Sequence, residues 1–360
     1  MTTIPRLPFT ATIAALGLAL SFSHAPAQAQ EAPPPLASEA EQAQIVADVI
    51  DGHILPRFEA LAQTSAHLAE VAQSHCTLAD GAPDAPLPAA FGAASDAWIA
   101  ASHLRFGPSE TDTRAFALAY WPDTRGATIR SLTAMIASED PVAYDPAAYG
   151  EVSIAARGFY AMEALLYHDT LAGAGQTDYR CALLRAMTRD SAGTAAAILA
   201  DWQSPYRAQM LEDGPLYRNR GEAVQVLYKV LNEGLEFTAD TRLGRPLGTF
   251  ERPRPKRAEA WRAGRSLRHV MISAQNLRDL SLRLAAGAPK VRDGLQAGFD
   301  QALLIGAELN DPVFAGVSDP TGRLKVEILQ QSLRGARGIV RGLLGPRLGV
   351  AAGFNALDGD

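Results

Sequence analysis

The segment Gly158-Phe159-Tyr160-Ala161-Met162-Glu163-Ala164-Leu165-Leu166-Tyr167 places three oxygen-bearing side chains at helical spacing. On a helix, Tyr160, Glu163 and Tyr167 share one face at i, i+3 and i+7, and Phe159, Met162 and Leu166 form an apolar face beside it. Two chemistries suit that stripe. A phenol and a carboxylate are hard oxygen donors, which suits Tyr160 and Glu163 as ligands for ferric iron. The same pair can also close a buried hydrogen bond between two helices and bind nothing. Zinc is disfavoured, because its protein ligands are imidazole, thiolate and carboxylate rather than phenol. Gly158 costs about 1 kcal/mol against Ala in a helix interior, so it marks a close approach by another helix or by backbone.

Other catalytic signatures are missing from the sequence. There is no HExxH, no G-x-S-x-G, no P-loop and no dinucleotide fingerprint. The histidines beyond the first 30 residues, His53, His67, His75, His103, His168 and His269, are not paired at ligand spacing. His168 follows Glu163 by five positions, which turns it to another side of the helix. The basic run from Arg252 to Arg257 reads as a solvated connector rather than an anion site. With 33 basic against 39 acidic residues and a net charge of −6, the chain gives no electrostatic case for nucleic-acid binding.

The elements that must position these groups are helices. The chain has 360 residues, 48% of them hydrophobic, and alternating β-branched runs are scarce, so the expected fold class is all-α. Residues 1–29 read as a cleavable signal peptide: Arg6, an apolar stretch from Ala11 to Phe22, and the small-residue site Ala27-Gln28-Ala29. Export to the periplasm follows from that reading, with no membrane span in the mature chain. In an oxidising compartment Cys76 and Cys181, the only cysteines, form the expected disulfide. Ser38 with Glu41 forms a capping box, and Ile50, Ile54, Phe58, Leu61, Ser65, Leu68 and Ala72 trace a stripe that Pro56 kinks without ending. Further helices are expected at 88–105, 112–137, 146–171, 178–203, 218–239, 257–285, 289–309 and 321–343. Short loops between them favour antiparallel packing. The Gly214-Pro215 break divides an N-terminal helical bundle, 30–214, from a C-terminal one, 215–360.

The motif helix carries a resemblance. Gly158-Phe159-Tyr160-Ala161-Met162-Glu163 followed by Ala164-Leu165-Leu166 resembles the GxHxxE helix of the imelysin family, peptidase family M75. Trp98 with His103-Leu104-Arg105-Phe106-Gly107-Pro108 resembles its W…LRFGP segment, and Arg245-Pro246-Leu247-Gly248 its PLG turn. Trp261 with Arg265-Ser266-Leu267 resembles its W…SL helix, and Gly353-Phe354-Asn355-Ala356-Leu357-Asp358-Gly359-Asp360 its C-terminal ending. The motifs keep the family's order over residues 40–360.

The resemblance implies an exported protein of two packed antiparallel helical bundles with its site between them. It would bring Arg105, Arg157, Arg265, Ser266, Asp358 and Asp360 to a cleft with Tyr160 and Glu163, and an arginine beside Glu163 would keep that carboxylate ionised. It also implies iron acquisition, with iron-uptake or other envelope proteins as partners. One departure stands out: the family's motif histidine is Tyr160 here. In the family that His and the Glu are taken as metal ligands or a metallopeptidase-like pair, so the substitution speaks against zinc proteolysis. The expectation is a non-hydrolytic binding component. The alternatives are an M75-type metallopeptidase using Glu163, and a structural or partner-binding protein with a degenerate metal site.

Overall fold

The computed structural model describes residues 35–76 and 86–350. The expected signal peptide and the Asp358 and Asp360 carboxylates lie outside the described residues. Ser38 caps α1 (Glu39–Val49) from both sides: its N–H donates to Glu41 Oε2 at 2.8 Å, and the Glu41 N–H donates to Ser38 Oγ at 3.3 Å. A wide turn at Ile50–Ile54 joins α1 to α2 (Leu55–His75). That turn falls where Pro56 removes the donor for the carbonyl four residues back, so the helix loosens without ending. The whole stripe from Ile50 to Ala72 is buried, with its phase kept across the proline.

The remaining helices are α3 (Pro86–Ala101), α4 (Arg114–Leu118), α5 (Ala127–Ser138), α6 (Gly158–Tyr167), α7 (Asp169–Ala172), α8 (Thr177–Asp201), α9 (Arg207–Leu211), α10 (Arg220–Glu236), α11 (Gly244–Leu247), α12 (Ser266–Leu284), α13 (Pro289–Leu309), α14 (Pro320–Ile339) and α15 (Gly345–Arg347). Among the described residues there is no strand, so the fold is all-α. No helix among them is long and apolar enough to cross a membrane.

Three expected helices are shorter than their periodicity suggested. The segment 112–137 breaks into α4 and α5, with Tyr120, Trp121 and Asp123 in the connection. The segment 146–171 is irregular until Gly158, so the motif helix has 10 residues. The segment 257–285 becomes helical only at Ser266, which leaves 258–265 irregular. Apolar spacing continued through these stretches because each still buries some side chains, among them Ala119, Tyr149, Ala155, Ala156, Ala258 and Ala260, and such burial does not require helical hydrogen bonding.

Two apolar clusters form the interior. The larger draws on α1, α2, α3, α6, α8 and α10; the smaller includes Ala239, Leu243, Val270, Ala274, Phe314, Val326 and Leu333. α12 serves both, giving Leu277, Leu280 and Leu284 to the first and Val270 and Ala274 to the second. α1 packs on α10 and α12, so the N-terminal helix lies against elements that follow the Gly214-Pro215 break. The Cys76–Cys181 disulfide forms as expected, with Cα atoms 5.6 Å apart and 105 positions between the partners, and ties the end of α2 to α8.

Candidate functional site

Every residue of α6 from Gly158 to Leu166 is buried, including Phe159, Met162 and Leu166, the face expected to be apolar. Gly158 opens the helix rather than lying inside it. Its φ is +72°, and a Cβ there would stand 2.1 Å from the Leu118 carbonyl oxygen and 2.4 Å from that of Ala117. The glycine therefore lets the C-terminal end of α4 press against the start of α6. That contact lays the next loop over the motif, with the Trp121 ring 6.2 Å from the ring of Tyr160.

The irregular segment 258–265 covers the other side. Ala260 adopts φ +47°, and its carbonyl accepts from the Arg265 N–H at 3.1 Å, which folds the segment across α6. Glu259 and Arg262 are thereby brought to the helix. The Tyr160 hydroxyl donates to Glu259 Oε1 at 2.5 Å, and Arg242 Nε donates to Glu259 Oε2 at 2.7 Å. Glu259 and Arg242 are 2% and 3% exposed. Arg242 lies in a wide turn at Phe237–Leu243 and also donates to Ser102 Oγ at 3.0 Å. His269 completes the group, with Nδ1 3.3 Å from Glu259 Oε2 and Nε2 3.1 Å from Ser95 Oγ.

The protonation states follow from these contacts. Burial, and then the Glu259 charge, push the Tyr160 phenol well above its ordinary range, so it keeps its proton. Burial alone would raise Glu259 too, but Arg242 and its hydrogen-bond donors hold it well below the usual carboxylate range. Glu163, 4% exposed, accepts from the backbone N–H groups of Arg262 at 2.9 Å and Ala263 at 3.2 Å. Burial raises its carboxyl, and the Arg262 guanidinium at 4.0 Å offsets this in part.

Tyr160 and Trp121 together form the wall between two hollows. One, of about 160 Å³, reaches Glu163, Arg245, Lys256, Arg257, Trp261 and Arg262. The other, of about 270 Å³, is lined by Trp98, His103, Arg105, Glu233, Phe237 and Arg242 among others. His103 ends a chain that runs inward from the part-exposed Asp279: Asp279 Oδ2 is 2.7 Å from His53 Nδ1, and the buried His53 Nε2 is 2.8 Å from His103 Nε2. With Asp279 accepting from His53 Nδ1–H, His103 must donate through Nε2, which leaves its Nδ1 a lone pair. That atom is buried without a partner.

The expected site residues do not all converge. Tyr160, Glu163 and Arg105 line the hollows. Arg105 is paired with Glu110 at 2.5 Å and lies over the Phe116 ring. The Arg157 guanidinium instead grips Asp190 on α8 at 2.7 and 2.9 Å. Arg265 reaches the Gly92 carbonyl and Asp96, and Ser266 is buried with no partner for its Oγ. Tyr167, assigned to the stripe, packs on Phe91 with ring centroids 6.0 Å apart. The arginine beside Glu163 is Arg262. Glu259, Arg242, His269, His53 and His103 were not legible as a group. Each lies on a different element, and Glu259 sat inside a stretch that read as helix.

The donor set does not suit a metal ion. Tyr160 presents a protonated phenol already spent on Glu259, and the positive charge a metal would offer that carboxylate is supplied by Arg242. Among the described residues no group of three His, Cys, Asp or Glu side chains converges as a metal site.

Comparison with known proteins agrees with this architecture. Residues 54–340 match the sequence profile of the imelysin family, Peptidase M75. No curated protein sequence matches the chain. An imelysin-like protein from Psychrobacter arcticum 273-4 superposes with a TM-score of 0.75 at 20% identity, covering 89% of this chain and 99% of its own. A candidate iron-regulated protein A precursor from Parabacteroides distasonis ATCC 8503 gives 0.69 at 15% identity, covering 85% and 95%. At these identities the likeness is one of fold.

Proposed function

Because the chain belongs to the imelysin family, and its motif helix is closed onto Glu259 and Arg242, we propose that it is a binding protein of the bacterial envelope rather than a hydrolase. The observation that carries this reading is the Tyr160–Glu259–Arg242 network. Hydrolysis of M75 type would need a metal-activated water. Here Arg242 neutralises Glu259, the Tyr160 phenol donates to that same carboxylate, and Glu163 accepts from backbone. A polar, aromatic-walled cleft of this kind suits recognition of a ligand through hydrogen bonds and charge.

The signal-peptide reading of residues 1–29 and the disulfide support export to the periplasm. A link to iron uptake, with iron-uptake or other envelope proteins as partners, is carried over from the family resemblance, and the Parabacteroides neighbour is itself described as iron-regulated. The proposed site lies between the bundle that carries α6 and the part of the chain after residue 214.

Metal analysis of protein purified without chelator tests the reading. The parent should hold substoichiometric iron and zinc. Tyr160→His, which restores the family's motif residue, should gain metal affinity if the rest of the site is an altered family site. Stoichiometric metal in the parent that Tyr160→Phe abolishes would overturn the reading.

A further inference from the structure

The smaller hollow carries more positive charge than its neighbours neutralise. Arg245, Lys256, Arg257 and Arg262 line it, and Trp121 and Trp261 form its aromatic walls. Arg245 lies over Trp121 at 5.7 Å, while Lys256 and Arg262 lie over Trp261 at 5.5 and 4.7 Å. Among the described residues no carboxylate pairs with Arg245, Lys256 or Arg257, and Arg245 Nε is buried without an acceptor. Two carboxylates border the hollow, and both are engaged. Asp123 accepts the N–H groups of Arg125, Ala127 and Thr128, and Glu163 those of Arg262 and Ala263 with the Arg262 guanidinium 4.0 Å away, so the two carboxylates still leave the cations of the hollow in excess.

The cations are held there by backbone rather than drawn by a counter-charge. The Gly- and Pro-rich run from Gly244 to Pro255 turns at Gly248, φ +57°, where a Cβ would meet the Arg252 carbonyl at 2.4 Å. The Arg254 N–H then closes onto the Pro246 carbonyl at 2.8 Å, and the Arg257 N–H onto that of Arg254 at 2.8 Å. This turn returns Lys256 and Arg257 to the side of the chain where Arg245 stands. Burial, and then the nearby Arg257 charge, lower the Arg245 pKa, as expected of cations crowded without an anion.

We propose that this hollow binds a small oxyanion-bearing molecule, a carboxylate or a phosphate, through Arg245, Lys256 and Arg262 between the Trp121 and Trp261 rings. Guanidinium groups match both oxyanions bidentately, and the ring faces hold the guanidinium planes in place. A volume of about 160 Å³ is below that of drug-sized sites and suits a small anion. The inference rests on the reading of this face as a binding cleft. Arg252, Arg254, Lys256 and Arg257 are exposed, as a solvated connector requires, so anion binding is a role added at the rim of a run that otherwise faces water.

Titration of the full chain with citrate and, separately, with inorganic phosphate at low ionic strength tests it. Calorimetry and tryptophan fluorescence are the readouts. At least one anion should bind with millimolar or tighter Kd and perturb a signal that Trp261→Phe removes. Arg245→Gln with Lys256→Gln should weaken binding at least tenfold, while Arg334→Gln, a cation paired with Asp240, should leave it unchanged. Citrate without phosphate assigns a polycarboxylate, and phosphate binding assigns a phosphoryl ligand. If neither anion binds the parent more tightly than it binds the double variant, the inference fails. Circular dichroism of each variant confirms the fold. Absence of anion binding leaves the metal-free reading standing, because metal analysis tests that reading on Tyr160 independently.

Discussion

Tyr160 donates its phenolic proton to Glu259, 99 positions further along the chain, at 2.5 Å. The bond joins the motif helix to a segment with no regular structure. Its acceptor is also the counter-ion of the buried Arg242. The motif tyrosine thus serves as a hydrogen-bond donor to a fixed carboxylate.

Removing Glu259's charge should cost more than removing the Tyr160 hydroxyl. Glu259→Gln leaves Arg242 buried without a counter-charge, which costs about 3–5 kcal/mol. Tyr160→Phe leaves the ion pair intact and should cost about 1–3 kcal/mol. Urea unfolding of both variants checks the order. A larger loss for Tyr160→Phe would mean that the phenol, not the ion pair, holds the segment.

Acid should destabilise the fold above the range where carboxylates titrate. Burial lowers His53 to about 4, and His103 falls well below its ordinary value for the same reason, despite Asp279 beside His53. Arg57 and Arg283, which also face Asp279, add to the opposition. Unfolded histidines bind protons near pH 6.5, so the unfolded chain takes up more protons between pH 6.5 and 4. Stability is therefore fully present above pH 6.5 and lost as pH falls toward 4, by up to about 1.4 kcal/mol per pH unit for each histidine. Urea midpoints at pH 7.5 and pH 5.0 measure this, and His53→Gln should flatten the difference. Equal stability at the two values would contradict the neutral His53–His103 pair.

Two glycines should respond in opposite directions to alanine. Gly158→Ala places a Cβ against the Leu118 carbonyl at φ +72° and should cost roughly 2 kcal/mol or more. Gly193 lies in α8, where an added Cβ would meet nothing within 4 Å, so Gly193→Ala should stabilise by about 0.5–1 kcal/mol. Thermal melts of the two variants side by side decide it. A tolerated Gly158→Ala would mean that α4 and α6 are not in backbone contact.

Loss of the disulfide should be felt globally. Cys76→Ser combined with Cys181→Ser should cost about 2–5 kcal/mol, because the closed loop spans 105 positions. The same loss should follow reduction of the parent by dithiothreitol. Unchanged unfolding under reducing conditions would show that the α2–α8 packing carries that contact alone.

The sequence by itself determined the helical class, the buried stripe from Ile50 to Ala72, the Cys76–Cys181 pair and the apolar face of Phe159, Met162 and Leu166. These features follow from local rules: apolar spacing at the helical period, capping chemistry and a single cysteine pairing. The GFYAME helix was legible for the same reason, since spacing alone puts Tyr160 and Glu163 on one side. The tertiary structure decided which groups meet that side. Glu259, Arg242 and Arg262 come from irregular backbone and a wide helical turn, whose paths depend on packing rather than on any periodic signal. The His53–His103–Asp279 chain joins three separate helical regions, and the cationic hollow depends on a turn at Gly248 that returns Lys256 and Arg257 toward Arg245. Burial then fixed the chemistry. It keeps the proton on Tyr160, and together with the partners' charges it sets the states of Glu259 and His53, which residue identity and spacing leave open.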